Sequence, residues 1–181
     1  VDPDSFPAPN RGVLSWPLDT IRITQQFGGT QFAKTNPGVY GRPFHNGVDF
    51  GVPTGTQVKS VLAGTVQATG NTDAFPGCVS WGKWVLVKHN NGLTSLYAHL
   101  SSILVDPGET VETGGLLGLS GNTGYSTGPH LHLTLYASQG VQVVKFNEFK
   151  PGGTGCSATG ASTPVASLDA YIDPMTYLPQ L

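Results

Sequence analysis

The chain has 181 residues and a net charge of −2, with nine Lys or Arg residues and only 11% charged residues in all. This length suffices for one domain with a sizeable core, and so few basic residues leave no positive stripe of the kind that binds nucleic acid. No apolar run approaches the roughly 18 residues that span a bilayer, so we expect neither a nucleic-acid partner nor a membrane span. The chain starts at Val1 rather than Met, as a mature or trimmed protein would, so the lack of a signal peptide is compatible with export.

Short hydrophobic runs separated by turns predict an all-β fold. Gly (25) and Pro (14) together exceed one residue in five, while 38% of the residues are hydrophobic. The hydrophobic residues occur in short alternating stretches, which are typical of strands joined by tight turns. No segment predicts a helix of normal length. We therefore predict one all-β domain over residues 13–181, preceded by a Pro-rich, extended lead-in at residues 1–12.

The first half of this domain carries several strand patterns in order. The first is VLSWPLDTIRITQQFG, after which residues 30–44 form a polar loop, and GTQVKSVLAGTVQATG then predicts two short strands around Gly64. The clearest signal is GKWVLVKHNNGLTSLYAHLS, because Asn91-Gly92 is a hairpin turn flanked by two alternating runs. His89, beside this turn, is expected to be solvated. Four residues of the second run are expected to share one face: Leu93, Ser95, Tyr97 and His99.

The second half continues with turns and strands. VDPGETVETGGLLGLSGNTG is a turn-rich β stretch, HLHLTLYA is a strand, and KPGGTGCSATGASTP (150–164) is a small, polar surface loop. We therefore predict a loop insertion near residues 145–165. The final LDAYIDPMTYL segment is expected to pack its aromatic and aliphatic side chains on the domain: Tyr171, Ile172, Tyr177 and Leu178.

The two cysteines, Cys78 and Cys156, lie in stretches predicted to be loops and lack the C-x-x-C spacing of a zinc site. They are too few for a disulfide framework. We predict that they form one disulfide bond, which would suit an extracellular compartment.

Two histidines within STGPHLHL are separated by a single leucine. Successive side chains of a strand point to opposite faces, so His130 and His132 share a face, with Cα atoms roughly 6.6 Å apart. At that distance both rings can reach one metal ion. The HLH sequence therefore indicates a candidate metal site.

A second candidate site sequence is RPFHNGVDFGVP, in which His45 and Asp49 are four residues apart. The surrounding Gly and Pro residues disfavour a helix, and in a straight strand the two Cα atoms would lie about 13 Å apart. We therefore expect a bend at Asn46-Gly47, which glycine permits. With one histidine of the HLH pair, these residues make two histidines and one carboxylate, a set that leaves an open position as in catalytic zinc sites. Spacing does not decide which HLH histidine is the ligand.

Three motifs, HNGVDFG, LYAHLS and SGNTGYSTGPHLHL, resemble in this order those of the lysostaphin-type zinc metallopeptidases, which cut peptide cross-links of bacterial peptidoglycan. The resemblance covers residues 13–136, and DPMTYL is similar to the usual C-terminal end. It implies a compact antiparallel β-sheet domain with Zn²⁺ on the floor of a groove. By motif, the zinc ligands would be His45, Asp49 and His132. His99 and His130 would be the catalytic histidines that flank the metal's water.

Other residues are expected to contact substrate: Asn36, Tyr40, Arg42 and Thr127. The chain also departs from the family pattern at two places. Family members often carry an aromatic and then an acidic residue after HLH, where Leu133 and Thr134 stand here. Some glycine-cutting members place a tyrosine in the loop before the hairpin to steady the tetrahedral intermediate, but residues 68–83 contain no tyrosine. We therefore expect a catalytic histidine to stabilise the oxyanion.

The resemblance implies a monomeric zinc endopeptidase that acts on peptidoglycan outside the cell or in the bacterial envelope. We favour D,D-type stem-peptide cross-links as the substrate, because that tyrosine is missing and because Lys34, Asn36 and Arg42 precede the first ligand, where they could meet carboxylates. The alternative substrate is a glycine bridge. A catalytically inactive wall-binding or activator module would be expected to lose ligands. A non-haem iron oxygenase also uses two histidines and a carboxylate, but it would leave His99 and one HLH histidine without a role.

Overall fold

The computed structural model describes residues 1–37, 43–145 and 160–181. Within these ranges the chain forms twelve β-strands, a few single-turn 3₁₀ helices and one five-residue α-helix, so the all-β prediction is confirmed. The helix, α1 (Gln31–Thr35), begins after Thr30, whose hydroxyl accepts a hydrogen bond from the Ala33 amide. It lies within the segment predicted to be a polar loop. The strands are β1 (Ile23–Gln25), β2 (Val48–Gly51), β3 (Gln57–Lys59), β4 (Gly64–Asn71), β5 (Lys83–His89), β6 (Leu93–Ile103), β7 (Thr110–Val111), β8 (Leu116–Ser120), β9 (His130–Ala137), β10 (Val141–Lys145), β11 (Ser162–Ala166) and β12 (Tyr171–Ile172).

Ten of the described strands form one antiparallel sheet, and β10 and β11 form a separate two-stranded ribbon. The path through the large sheet is β1-β2-β9-β6-β5-β4-β7, with β12 also paired to β9 and with β8 joining β3 to β6. The predicted HLH strand is therefore β9, which lies between β2 and β6. This placement puts both histidine-bearing motifs on neighbouring strands near the middle of the sheet.

The two faces of β9 have different environments. Leu131, Leu133 and Leu135 are fully buried in the main hydrophobic core, together with Phe50 of β2 and Tyr97 of β6. Alternation along the strand sends the histidines of HLH to the opposite face. On that face a smaller apolar cluster lies beyond them, formed by Trp84, Leu86, Leu96, Ala98, Tyr136 and Val141. The polar site thus lies between an apolar core beneath it and an apolar cluster beside it.

The Asn91-Gly92 hairpin is confirmed, because β5 and β6 flank it as antiparallel partners. The prediction for His89 is wrong, since only 2% of its surface is exposed. Its Nδ1 lies 3.0 Å from the Ala63 carbonyl oxygen and its Nε2 lies 2.8 Å from the Ser95 hydroxyl. Strand β4 runs directly alongside, with Gly64 opposite His89. The pairing of β4 with β5 therefore buries a histidine that the turn alone would leave in solvent.

The C-terminal segment packs on the domain as predicted. Tyr177 and Leu178 are buried, and the Tyr177 hydroxyl donates to the Pro7 carbonyl of the lead-in. Strand β11 occupies the end of the segment predicted to be a surface loop. Residues 146–159, which include Cys156 and the first part of that loop, lie outside the described residues. Cys78 is fully buried and disulfide-bonded.

Candidate metal centre

Three side-chain donor atoms converge on the polar face of the sheet. His45 Nε2 lies 3.2 Å from His132 Nδ1 and 3.4 Å from Asp49 Oδ1, and Asp49 Oδ1 lies 2.7 Å from His132 Nδ1. All three residues are buried, and among the described part of the chain they form a group that could hold a metal ion. Strand register explains part of this convergence, because Asp49 on β2 is paired directly with His132 on β9.

These distances fit a tetrahedral zinc site. Ligands bound at about 2.0–2.1 Å in a tetrahedron are about 3.3 Å from one another, and two of the three separations already match. The hydrogen bond that orients the His45 ring also fits a role as zinc ligand. His45 Nδ1 lies 2.8 Å from the Gln26 carbonyl oxygen, so Nδ1–H donates there and Nε2 is left as the lone-pair donor. The chemistry of the donor set therefore suits zinc.

The predicted bend between His45 and Asp49 is present, but Gly47 is required for a different reason than backbone freedom. A Cβ atom at position 47 would lie 2.4 Å from the Leu133 carbonyl oxygen and 2.7 Å from His132 Nε2. Such distances are shorter than any real contact of this kind, so a side chain here would push β2 away from β9. Gly47 permits the close approach that brings the two motifs together.

His99 reaches the site through a β-bulge. Between β5 and β6 the register advances two residues from Lys83 to Val85 but three residues from Leu100 back to Tyr97, and His99 has a φ of 61°. The extra residue turns its side chain away from the core face that Tyr97 occupies. The prediction that Leu93, Ser95, Tyr97 and His99 share one face is therefore wrong for His99, which instead lies 4.7 Å from His130 between ring centroids.

Both flanking histidines are held by their Nδ1 atoms. His99 Nδ1 lies 2.7 Å from the Thr123 carbonyl oxygen, and His130 Nδ1 lies 2.8 Å from the Gly128 carbonyl oxygen. Nδ1–H donation to these carbonyls leaves each Nε2 as the reactive nitrogen. His130 Nε2 lies 3.7 Å from Asp49 Oδ1. The two rings are thus oriented beside the donor set by backbone groups.

Burial and hydrogen bonding fix the charges of the site at neutral pH. Burial acts to raise the pKa of Asp49, but hydrogen bonds with His132 and His45 outweigh it and hold this pKa well below its ordinary value. Burial lowers the pKa of His132. Burial, with the repulsion that protonated His132 and His130 would exert, lowers the pKa of His99 to about 3. Asp49 is therefore an anion, whereas His132 and His99 are neutral and can offer a lone pair.

The site lies in a cleft of about 1110 Å³. Its described lining includes the ribbon strand β11 with Leu168 and Tyr171, which follow it, and it also includes Thr24, Gln25 and Phe32. Trp81 connects this ribbon to the histidines, because its Nε1–H donates to the Thr163 hydroxyl at 3.2 Å and its ring lies 5.2 Å from that of His132. Sequence reasoning missed Trp81, since no motif distinguishes it from a core aromatic residue.

The predicted substrate-binding residues have different positions. Thr127 lines the cleft. Asn36 ends α1, where its side-chain amide donates to the Phe32 carbonyl oxygen at 3.0 Å, and it is not among the described lining residues. Tyr40 and Arg42 lie outside the described residues.

A buried carboxylate and two buried histidines beside a cleft, with two further histidines that line it, are typical of a metal-dependent hydrolase. The model of peptidase family M23 matches residues 43–144, more than half of the sequence, and the chain belongs to this family. The matched segment contains all five histidine and aspartate residues of the site.

Two curated relatives show the range of activities among similar proteins. The peptidoglycan DD-endopeptidase ShyA of Vibrio cholerae is 45% identical over 91 residues, which cover 50% of this chain and 20% of the relative. The glycyl-glycine endopeptidase ALE-1 of Staphylococcus capitis is 34% identical over 121 residues, which cover 65% of this chain and 32% of the relative. The chain therefore spans under a third of the length of either protein.

Solved structures agree with the fold. The catalytic domain of the antimicrobial peptidase lysostaphin from Staphylococcus simulans matches with a TM-score of 0.60 and 26% identity, covering 86% of this chain and 90% of that domain. A zinc-containing peptidase from Vibrio cholerae matches with a TM-score of 0.57 and 33% identity, and the match covers 68% of this chain and 36% of that protein. The predicted antiparallel β domain of the lysostaphin type is confirmed.

Proposed function

We propose that this chain is a zinc-dependent endopeptidase that hydrolyses peptide cross-links of bacterial peptidoglycan. The observation that carries the proposal is the convergence of His45 Nε2, Asp49 Oδ1 and His132 Nδ1 within 3.4 Å of one another. These would be the zinc ligands. The presence of His99 and His130 beside them argues against an inactive module, which would have no use for two further oriented histidines.

Zinc, when bound, would polarise the scissile carbonyl and lower the pKa of a water molecule. The chain's own residues would carry out the proton transfers. Neutral His99 can accept the proton of the attacking water at Nε2 and deliver it to the leaving amine. His130, whose Nε2 also faces the site, can share this proton transfer, and once its Nε2 has taken up a proton it can donate to the developing oxyanion.

We infer that the scissile bond belongs to a D,D-type stem-peptide cross-link. The similarity to DD-endopeptidase ShyA, at 45% identity, supports this substrate. The sequence-based prediction of this substrate relied partly on Lys34 and Asn36. Neither residue is among the described residues that line the cleft, so they do not support the D,D-type substrate. Arg42 lies outside the described residues.

A glycine bridge remains the second candidate substrate. Besides Asp49 and the histidines, the described lining residues carry no charged side chain, and four of them are exposed hydrophobic residues: Phe32, Val79, Tyr125 and Leu168. An uncharged cleft suits an uncharged peptide. The similarity to the glycyl-glycine endopeptidase ALE-1 also supports a glycine bridge as the substrate.

Incubation of the zinc-loaded protein with pentaglycine and with a purified cross-linked muropeptide dimer tests both substrates. We expect cleavage of the dimer at the D,D bond, identified by the new amino terminus. Rapid cleavage of pentaglycine with an intact dimer would assign the glycine bridge instead. No cleavage of either substrate by zinc-loaded protein would contradict the proposed function.

We further propose that the protein acts as a monomer outside the cell or in the bacterial envelope, where peptidoglycan lies. None of the described helices has the length and hydrophobicity needed to cross a membrane. Size-exclusion chromatography with light scattering measures the oligomeric state.

A further inference from the structure

The candidate ligand His132 has a polar contact at each ring nitrogen. Nδ1 lies 2.7 Å from Asp49 Oδ1, and Nε2 lies 2.8 Å from the hydroxyl oxygen of Thr134. Thr134 follows two residues later on β9, so both side chains are on the same face. It has no exposed surface, and His132 is 3% exposed. This nitrogen therefore has a protein hydroxyl rather than bulk water as its partner.

The surroundings leave little room for another partner. The backbone of Gly47 approaches so closely that a Cβ atom there would lie 2.7 Å from His132 Nε2. Leu96, directly opposite Thr134 on β6, belongs to the buried apolar cluster. Loss of the hydroxyl would remove the partner described for Nε2 at this buried position. A buried polar atom without a partner is destabilising in proteins.

A hydroxyl can serve Nε2 in either tautomer of a neutral imidazole, because it both donates and accepts hydrogen bonds. When Nδ1 carries the ring proton and donates to Asp49, Nε2 accepts from the Thr134 hydroxyl. When Nδ1 is a metal ligand, the proton is on Nε2, and the Thr134 oxygen accepts it. An ionised carboxylate at this position could only accept a hydrogen bond, and it would add a buried negative charge.

We propose that Thr134 is a positioning residue for the metal site: its hydroxyl stabilises the tautomer of His132 in which Nδ1 is free to bind zinc. It does so without adding a charge to the buried site. The proposal rests on the proposed function only in taking zinc as the ligand. Partners of metal-binding histidines typically change metal affinity by about 10- to 100-fold when they are removed.

The test measures zinc affinity rather than activity, by competition between the metal-free protein and a chromophoric chelator. Thr134→Val keeps the shape of the side chain and removes the hydroxyl, so the Kd for zinc should rise by about 10- to 100-fold. Thr134→Ser restores a hydroxyl and should bind zinc nearly as the unaltered protein does. The matched control is Thr94→Val, since Thr94 is also fully buried on the same sheet but hydrogen-bonds Ser138.

Nitrogen-15 chemical shifts of the histidine rings give a second readout. In the zinc-loaded protein, His132 Nε2 should carry the proton. An unchanged Kd in Thr134→Val, or an equal rise in Thr94→Val, would overturn the proposal. If Thr134→Val does not fold, Thr134→Ala removes the hydroxyl with less bulk, and the same criteria apply to it. Failure of the unaltered protein to bind zinc would contradict the proposed metal site itself, which is a different outcome.

Discussion

Asp49 Oδ1 lies within 3.7 Å of ring nitrogens from three histidines: His45, His130 and His132. The same carboxylate could therefore bind the metal and orient the histidine beside it. Two of the three nitrogens, those of His45 and His132, also lie close to each other, whereas His130 is outside the described donor group. At the residue scale the proposed zinc ligands thus differ from the histidines proposed to move a proton.

Asp49→Ala should abolish stoichiometric zinc binding and activity together, because two histidines alone leave the metal with too few ligands. Metal analysis of the purified variant measures the zinc content. Asp19→Ala removes an exposed carboxylate that pairs with Lys59 and should leave one zinc per chain. Retention of full zinc content by Asp49→Ala would contradict the assignment.

His99→Ala and His130→Ala should each keep zinc but lose a factor of about 10² to 10⁴ in rate, the usual contribution of general acid–base catalysis. The kinetic constants and the zinc content are measured on the same preparations. His89→Gln, which alters a buried histidine away from the cleft, should keep the rate. Loss of zinc from His130→Ala would show that the two HLH histidines have the opposite roles.

At the scale of elements, the contact between β2 and β9 aligns the two ligand motifs. Gly47→Ala should destabilise the protein by about 1–3 kcal/mol, as overpacking typically does, and should weaken zinc binding, because its Cβ would meet the Leu133 carbonyl oxygen and His132 Nε2. Chemical denaturation measures the free energy of unfolding. Gly128→Ala is the control, since a Cβ there would meet nothing within 4 Å. Equal stability of the two variants would refute this account of Gly47.

The predicted disulfide belongs to the same scale, because it would tie the segment around Cys78 to the long segment after β10. Thiol titration of the denatured, unreduced protein should find no free thiol, and reduction should lower the free energy of unfolding by about 2–4 kcal/mol. Cys78 is bonded in the structure, while the pairing with Cys156 stays a prediction. Two titratable thiols per chain would disprove it.

At the scale of the whole molecule, buried neutral histidines should make the metal-free protein sensitive to acid. Burial lowers the pKa of His89 below its ordinary value and that of His99 to about 3. The unfolded chain then binds protons below about pH 6.5 that the folded chain does not. Their contribution to stability is therefore present above that pH and is lost as the pH falls towards the folded-state values.

Denaturation of the metal-free protein at pH 7.5 and pH 5 measures this effect. Each histidine that remains neutral should lower the free energy of unfolding by about 2 kcal/mol at pH 5. His89→Gln should reduce the difference between the two pH values. An unchanged unfolding midpoint in the unaltered protein would show that neither histidine has a depressed pKa.

The sequence by itself determined the features that depend on local geometry. The alternation in HLHLTLYA placed His130 and His132 on one face of a strand, Asn91-Gly92 predicted the hairpin, and the crowding of glycine and proline around His45 predicted a bend. These signals are reliable because strand alternation and tight turns depend on a few consecutive residues. The ordered motifs also identified the family, since few folds require all three.

Only the tertiary structure decided which groups these residues meet. A bulge at His99 reverses the face that alternation predicts, and β4 buries His89. Lys34 and Asn36 are near His45 in sequence but do not line the described cleft, whereas Trp81 and the ribbon strand β11 do. The role of the contact between Thr134 and His132 Nε2 can be inferred only from the way Gly47 and Leu96 pack around it. Each outcome depends on packing between strands that are distant in sequence, and a strand's own residues do not specify its neighbours' register.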